Sequence, residues 1–170
     1  MLPDVFPTLC TERLQLRQLT TDDAQDVLEV FAFNKENPTV EYAVDKINTL
    51  SSTFKKKEGV TWAIIFQNEL VGTVGFYRGF NNDTGEIGYV LKSKFKRLGI
   101  MSEASVCVMK FAFERVGVEK ITAFTGGDNS PSIKMLHSLG FIPSTIPSDK
   151  YSVFEISKES FFQKHQFNNL

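Results

Sequence analysis

The chain has 170 residues, enough to bury roughly 70% of the surface its unfolded form exposes, so one domain over residues 1–170 needs no disulfide or metal staple. Its 19 Lys and Arg balance 20 Asp and Glu, which removes the broad basic footprint of a nucleic-acid binder. Cys10 and Cys107 lack metal-ligand spacing, no leader follows Met1 and no apolar run approaches ~18 residues, so the expectation is a cytoplasmic protein without a metal or a membrane partner.

Leu14 to Leu19 alternates Leu-Gln-Leu-Arg-Gln-Leu, the period of a half-buried strand. Thr20-Thr21-Asp22-Asp23 reads as a helix start, with a hydroxyl cap and acids in the first turn. Ala24, Val27, Leu28 and Phe31 continue it at helical spacing. A second helical stripe, Val44, Ile47, Leu50 and Phe54, ends in Lys55-Lys56-Lys57.

Three strands follow over Thr61–Phe66, Leu70–Gly79 and Glu86–Leu91. Their short turns, Gln67-Asn68-Glu69 and Asn81-Asn82-Asp83-Thr84-Gly85, predict an antiparallel meander. From Gly99 to about Val116 the period is helical, and the segment is apolar around most of its circumference, so it must lie on a sheet. Lys120–Thr125 is a further strand. Asn129-Ser130-Pro131 opens a helix that closes at Gly140. Extended pieces begin at Phe141 and Tyr151, and the rest reads as a polar tail. The order is β-α-α-β-β-β-α-β-α-β-β, an α+β (mixed α/β) arrangement with one crossover unit.

The loop Lys94-Phe95-Lys96-Arg97-Leu98-Gly99-Ile100-Met101-Ser102 stands between the fourth strand and the long helix. It offers successive backbone N–H groups, a helix N-terminus and the cations Lys94, Lys96 and Arg97. Orphan amides and the helix dipole both favour negative charge, so these are the parts that hold a pyrophosphate. Gly99 lets the backbone approach a ligand closely. Taken alone, a glycine in a basic turn before a helix is an ordinary turn.

The flanks give the loop its context. Glu86-Ile87-Gly88-Tyr89 on the strand and Gly99-Ile100-Met101-Ser102-Glu103-Ala104 on the helix resemble the acetyl-CoA motif of the GNAT acetyltransferase superfamily. They look most like its RimJ/RimL-type branch of ribosomal-protein N-acetyltransferases. Asn129-Ser130-Pro131-Ser132 followed by Met135 to Phe141 is similar to that family's N-x-x-S…L-x-x-L-G-F, and Thr11 to Arg17 and Trp62 to Ile65 also fit. Two departures stand out. Lys96-Arg97-Leu98-Gly99-Ile100-Met101 replaces the usual [QR]-x-x-G-x-[GA], and Arg97 stands where the branch often has Gly.

The resemblance implies a largely antiparallel, twisted central sheet flanked by helices, with acetyl-CoA as co-substrate and an amine as acceptor. It assigns the pyrophosphate to Lys96, Arg97, Leu98, Gly99, Ile100, Met101 and Ser102. Backbone amides near Val90 and Leu91 would meet the thioester carbonyl, and Asn129 the pantetheine chain. Strand alternation puts Glu86, Gly88 and Val90 on one face, where Glu86 can serve as base through water or merely pair a cation. Many superfamily members use a Tyr in the final helix as acid. That register holds Leu136 here; either Ser132 is the substitute, or it is an ordinary first-turn serine and the thiolate leaves with solvent help alone.

Tyr89 reads as a core residue or a contact to substrate or cofactor, His137 as a surface residue, and Phe31, Phe33 and Phe54 as shaping the acceptor cleft. A monomer or a homodimer is expected. The alternative to an enzyme is an acyl-CoA sensor or partner-binding module on the same fold. Nucleotide-dependent phosphoryl transfer lacks its G-x-x-x-x-G-K-[ST] loop.

Overall fold

A computed structural model describes residues 1–33 and 36–166 of the chain. Nine strands form one sheet in the order β1-β2-β3-β4-β6-β7-β9-β8, with β5 paired to β6. They are β1 (Leu9–Cys10), β2 (Leu14–Gln18), β3 (Val60–Phe66), β4 (Glu69–Phe76), β5 (Phe80–Asn81), β6 (Thr84–Leu91), β7 (Lys120–Thr125), β8 (Ile142–Pro143) and β9 (Ser152–Ser157). Every pairing is antiparallel except β6 with β7. The one parallel pair is joined by the crossover helix α3 (Ile100–Phe111), as parallel neighbours require.

Alternation along the strands sends side chains into two separate cores. Trp62 and Ile64 of β3 face one, with Ile100, Val108 and Phe111 of α3. Ala63, between them, faces the other with Val27, Val30, Phe31, Ala43 and Ile47, which belong to the segment around α1 (Leu28–Phe31) and to α2 (Val40–Lys55). Helices therefore cover both faces of the sheet. The indole N–H of Trp62 donates to the Pro7 carbonyl at 2.6 Å, which satisfies the one polar atom of a fully buried ring.

Three expectations change. The first helix does not run on from Thr20: Thr21–Asp23 forms one 3-10 turn and α1 covers only Leu28–Phe31. Arg17 grips Asp23 through two hydrogen bonds of 2.7 and 2.8 Å, and the Thr20 N–H donates to the same carboxylate, which fixes a turn there. Phe54 belongs to the core, its ring tilted against that of Phe6 at 4.8 Å, and it lines none of the cavity walls among the described residues. The polar tail contains a helix, α5 (Lys158–His165), capped by the Ser157 hydroxyl. Phe161 anchors it, fully buried and 5.1 Å from Phe113. Eight mostly polar residues carry too little periodicity to show such a helix in advance.

Candidate active site

Strand β6 changes partners half-way along, and this makes the site. Thr84–Ile87 pairs with Lys120–Ala123 of β7, whereas Gly88–Leu91 pairs only with β4. Beyond Ile87 the two parallel strands separate. The Lys92 N–H donates to the Val71 carbonyl at 2.8 Å, and the Val90 carbonyl lies against Gly72. Peptide groups alternate in direction along a strand, so those of Tyr89 and Leu91 face the opening. Of the two amides expected there, Leu91's faces the opening and Val90's faces β4; Tyr89's faces the opening as well.

The loop after β6 is held from three sides. Glu29 of α1 accepts the Ser93 N–H at 2.6 Å, a bond that holds its carboxyl below the ordinary range. Lys94 turns away to Glu69 at 2.5 Å, so it leaves the cradle. Arg13 donates from Nη1 to the Leu98 carbonyl at 3.1 Å and from Nε to Glu103 at 2.7 Å. The Thr11 hydroxyl and the Arg13 N–H complete the grip on Glu103. Partial burial alone would raise the Glu103 carboxyl, but the Thr11 and Arg13 bonds outweigh it and hold the pKa low.

Within this frame the backbone is bent twice into the left-handed region, at Arg97 (φ 66°) and Gly99 (φ 74°). Arg97 therefore adopts the conformation that the glycine of related loops would take. The first amide of α3 with a backbone acceptor is that of Glu103, which donates to the Gly99 carbonyl at 3.0 Å. The six amides from Arg97 to Ser102 meet no acceptor among the described residues. Lys96 and Arg97 are exposed and make no ion pair among the described residues. Six donors, a helix dipole and two open cations form a cradle for a polyanion.

On the α2 side of the sheet, Glu86 meets Arg78 Nη1 at 3.2 Å. The Cε1 edge of the Tyr77 ring lies against Gly88, where an added Cβ would come within 2.0 Å of it. Burial, reinforced by the charge of Glu86, raises the Tyr77 phenol. Beside them opens a cavity of about 330 Å³ that reaches Gly88 and Val90 and includes Phe31 and Phe33 in its wall. On the opposite side of β6, the Tyr89 hydroxyl lies 2.7 Å from Ser132 Oγ. Ser132 is in the first turn of α4 (Ser130–Leu139), whose cap Asn129 accepts the Ser132 N–H at 3.3 Å. Burial raises the Tyr89 phenol, and the Ser132 bond partly opposes it. Leu136 is fully buried.

Residues 13–142 match the sequence profile of the Acetyltransferase (GNAT) domain. The chain belongs to the GNAT acetyltransferase family. It is similar to the uncharacterised N-acetyltransferase YoaA of Bacillus subtilis (strain 168), at 32% identity over 148 residues, 81% of this chain and 84% of YoaA. Two solved structures share its fold. Mycobacterium smegmatis RimJ in complex with CoA-disulfide has a TM-score of 0.80 and 18% identity, covering 94% of this chain and 91% of RimJ. The ribosomal L7/L12 α-N-protein acetyltransferase RimL in complex with coenzyme A has a TM-score of 0.78 and 18% identity, covering 91% of this chain and 99% of RimL.

The structure of this acetyltransferase brings Leu91 and the run Lys96–Ser102 to the opening of the sheet, and places Asn129 and Ser132 across β6 from Glu86. Sequence reasoning missed Arg13 and Glu103 as members of the site, and the partner of Tyr89. Arg13 and Glu103 were visible only as parts of family blocks, and nothing in their spacing announces a contact across 90 residues. Tyr89 carried an available signal: a tyrosine on the strand face opposite Glu86 must bury its hydroxyl and therefore needs a partner.

Proposed function

We propose that this GNAT acetyltransferase moves an acetyl group from acetyl-CoA to a primary amine, a protein N-terminus or a small amine, by direct attack in a ternary complex. One observation carries the reading: six successive unpartnered amides open beside the end of β6 that has lost its parallel neighbour. The pyrophosphate of acetyl-CoA suits that cradle, with Lys96 and Arg97 as counter-charges. The pantetheine chain suits the free peptide groups of Tyr89 and Leu91, with Asn129 nearby. RimJ and RimL, which share the fold, hold CoA in their structures.

The co-substrate supplies an activated thioester. The chain supplies what the transfer needs around it. The Leu91 N–H polarises the thioester carbonyl and stabilises the negative charge that forms on its oxygen. Glu86 takes a proton from the attacking ammonium through water, since an alkylammonium with a pKa near ~10 is otherwise unreactive. Ser132, hydrogen-bonded to Tyr89, returns a proton to the departing thiolate. The C–N bond forms and the C–S bond breaks; the acceptor ammonium gains one acetyl group and gives up two protons, one to Glu86 before attack and one from the nitrogen after it, which replaces the proton that Ser132 passes to the thiolate. We place this chemistry in a single domain and in a reducing cytoplasm, where Cys107, pushed up to about 11 by burial, stays a thiol.

Thiol release from acetyl-CoA, followed over a panel of amines and peptides, tests the reading. The wild type should release thiol only with an acceptor, and CoA should raise the melting temperature. Glu86→Gln should lower kcat by about 100-fold at neutral pH. A protein whose melting temperature ignores CoA would overturn the donor assignment, and normal turnover by Glu86→Gln would remove Glu86 as the base.

A further inference from the structure

The cavity beside Gly88 and Val90 carries information about what enters it. Its wall holds two cations, Lys46 and Arg78, and no carboxylate among the described lining residues. Lys46 makes no ion pair among the described residues, and Arg78 meets Glu86 through Nη1 alone. A guanidinium has five N–H donors in a planar fork, so Nε and Nη2 of Arg78 remain available. Val30, Phe31, Leu50 and Tyr77 make the rest of the wall largely apolar.

Two further observations concern the hydroxyls. Thr61 lines the same cavity, and its Oγ1 is buried without a hydrogen-bond partner among the described residues, a condition that calls for a ligand or water atom. Thr49 and Thr53 each spend their O–H on a carbonyl one helical turn back, at 2.9 Å. Their oxygens can then only accept, which suits an incoming ammonium.

We infer that the acceptor is a small, partly apolar amine that bears an anionic group, a carboxylate or a phosphate, and that Lys46 and Arg78 hold that group. The inference rests on the acyl-transfer reading above and narrows it. A polyamine would bring positive charge against both cations. An amine without an anionic group would leave Lys46 facing substrate without a counter-charge and Arg78 with Glu86 alone. An amino acid or aminoalkyl phosphate satisfies them and presents its amine to the Glu86 face of β6. The cavity, about 330 Å³, is of small-molecule size.

Matched pairs test this: phenylalanine against phenylalaninamide, and O-phosphotyramine against tyramine, each in the thiol-release assay. The anionic member of at least one pair should lead in kcat/KM by about tenfold or more, mainly through KM. That ratio should fall about tenfold in Lys46→Gln and recover in Lys46→Arg. Which pair shows the effect distinguishes carboxylate from phosphate. Equal or better use of the neutral amines overturns the inference, as does a Lys46→Gln variant that scales both members alike. If none of the four is acetylated, calorimetric titration into CoA-saturated protein decides: selective binding of the anionic amines supports the anion site, and no selectivity overturns it. A missing CoA-induced shift in melting temperature would instead sink the acyl-transfer reading, and the same titration into free protein would then judge the anion site by itself.

Discussion

Arg97 sits in the left-handed region at φ 66° with no ion pair among the described residues. A non-glycine residue there stores backbone strain of about 1 kcal/mol or more, kept in exchange for a cation at the cradle. Arg97→Gly should therefore raise stability in the absence of CoA by up to about 1 kcal/mol, net of the entropy glycine adds to the unfolded chain. It should also weaken CoA binding by about fivefold, the scale of an exposed charge contact. Thermal melts with and without CoA read both effects. Tyr89 and Ser132 form a hydroxyl pair at 2.7 Å. If Ser132 delivers the proton and Tyr89 orients it, Ser132→Ala and Tyr89→Phe should each lower kcat by about tenfold or more, with the double variant no worse than the stronger single one. Independent, additive losses would separate the two roles.

At the scale of elements, the loop leading into α3 owes its shape to a clamp between β2 and α3. Arg13 bonds the Leu98 carbonyl and Glu103, and Thr11 bonds Glu103 as well. These bonds hold the Glu103 carboxyl below its unfolded value against the opposing effect of burial. A depressed folded pKa gives a contribution that is complete above the unfolded carboxyl value of about 4.3 and fades as pH falls through the lower folded one. CoA affinity and thermal stability should accordingly hold from neutrality down to about pH 5 and fall below it. Glu103→Gln should show a smaller acid-side loss and a raised KM for acetyl-CoA already at neutral pH. A wild type and a Glu103→Gln variant with superimposable acid limbs would show that the clamp does not depend on this carboxylate.

For the molecule as a whole, two cores lie on either face of one sheet, and the site occupies the seam where β6 passes from β4 to β7. Rigid layers on both sides keep the opening in place, so packing far from it matters. Phe161 closes one end of the larger core from α5, its ring tilted against that of Phe113. Phe161→Ala should destabilise the protein by about 3–5 kcal/mol, measurable as a lower urea midpoint with an unchanged slope. Its effect on KM at permissive temperature should be small, because α5 takes no part in the cradle. A near-neutral midpoint would mean that α5 docks without contributing to the core.

The sequence by itself determined the strands of the meander, the crossover helix, the second helix with its Asn129 cap, and the basic turn before Gly99. Each is written in local periodicity, turn chemistry or capping, all of which act within a few residues. It also marked Glu86 and Ser132 as chemically able side chains, though not their partners. Only the tertiary structure decided that Lys94 leaves the cradle for Glu69, that Arg13 and Glu103 brace it, that Tyr89 pairs with Ser132, and that α5 ends the chain as a packed helix. Those contacts join residues from 25 to 90 positions apart, and no local signal encodes them. They follow from which faces the sheet turns together, and so appear only once the whole chain is packed.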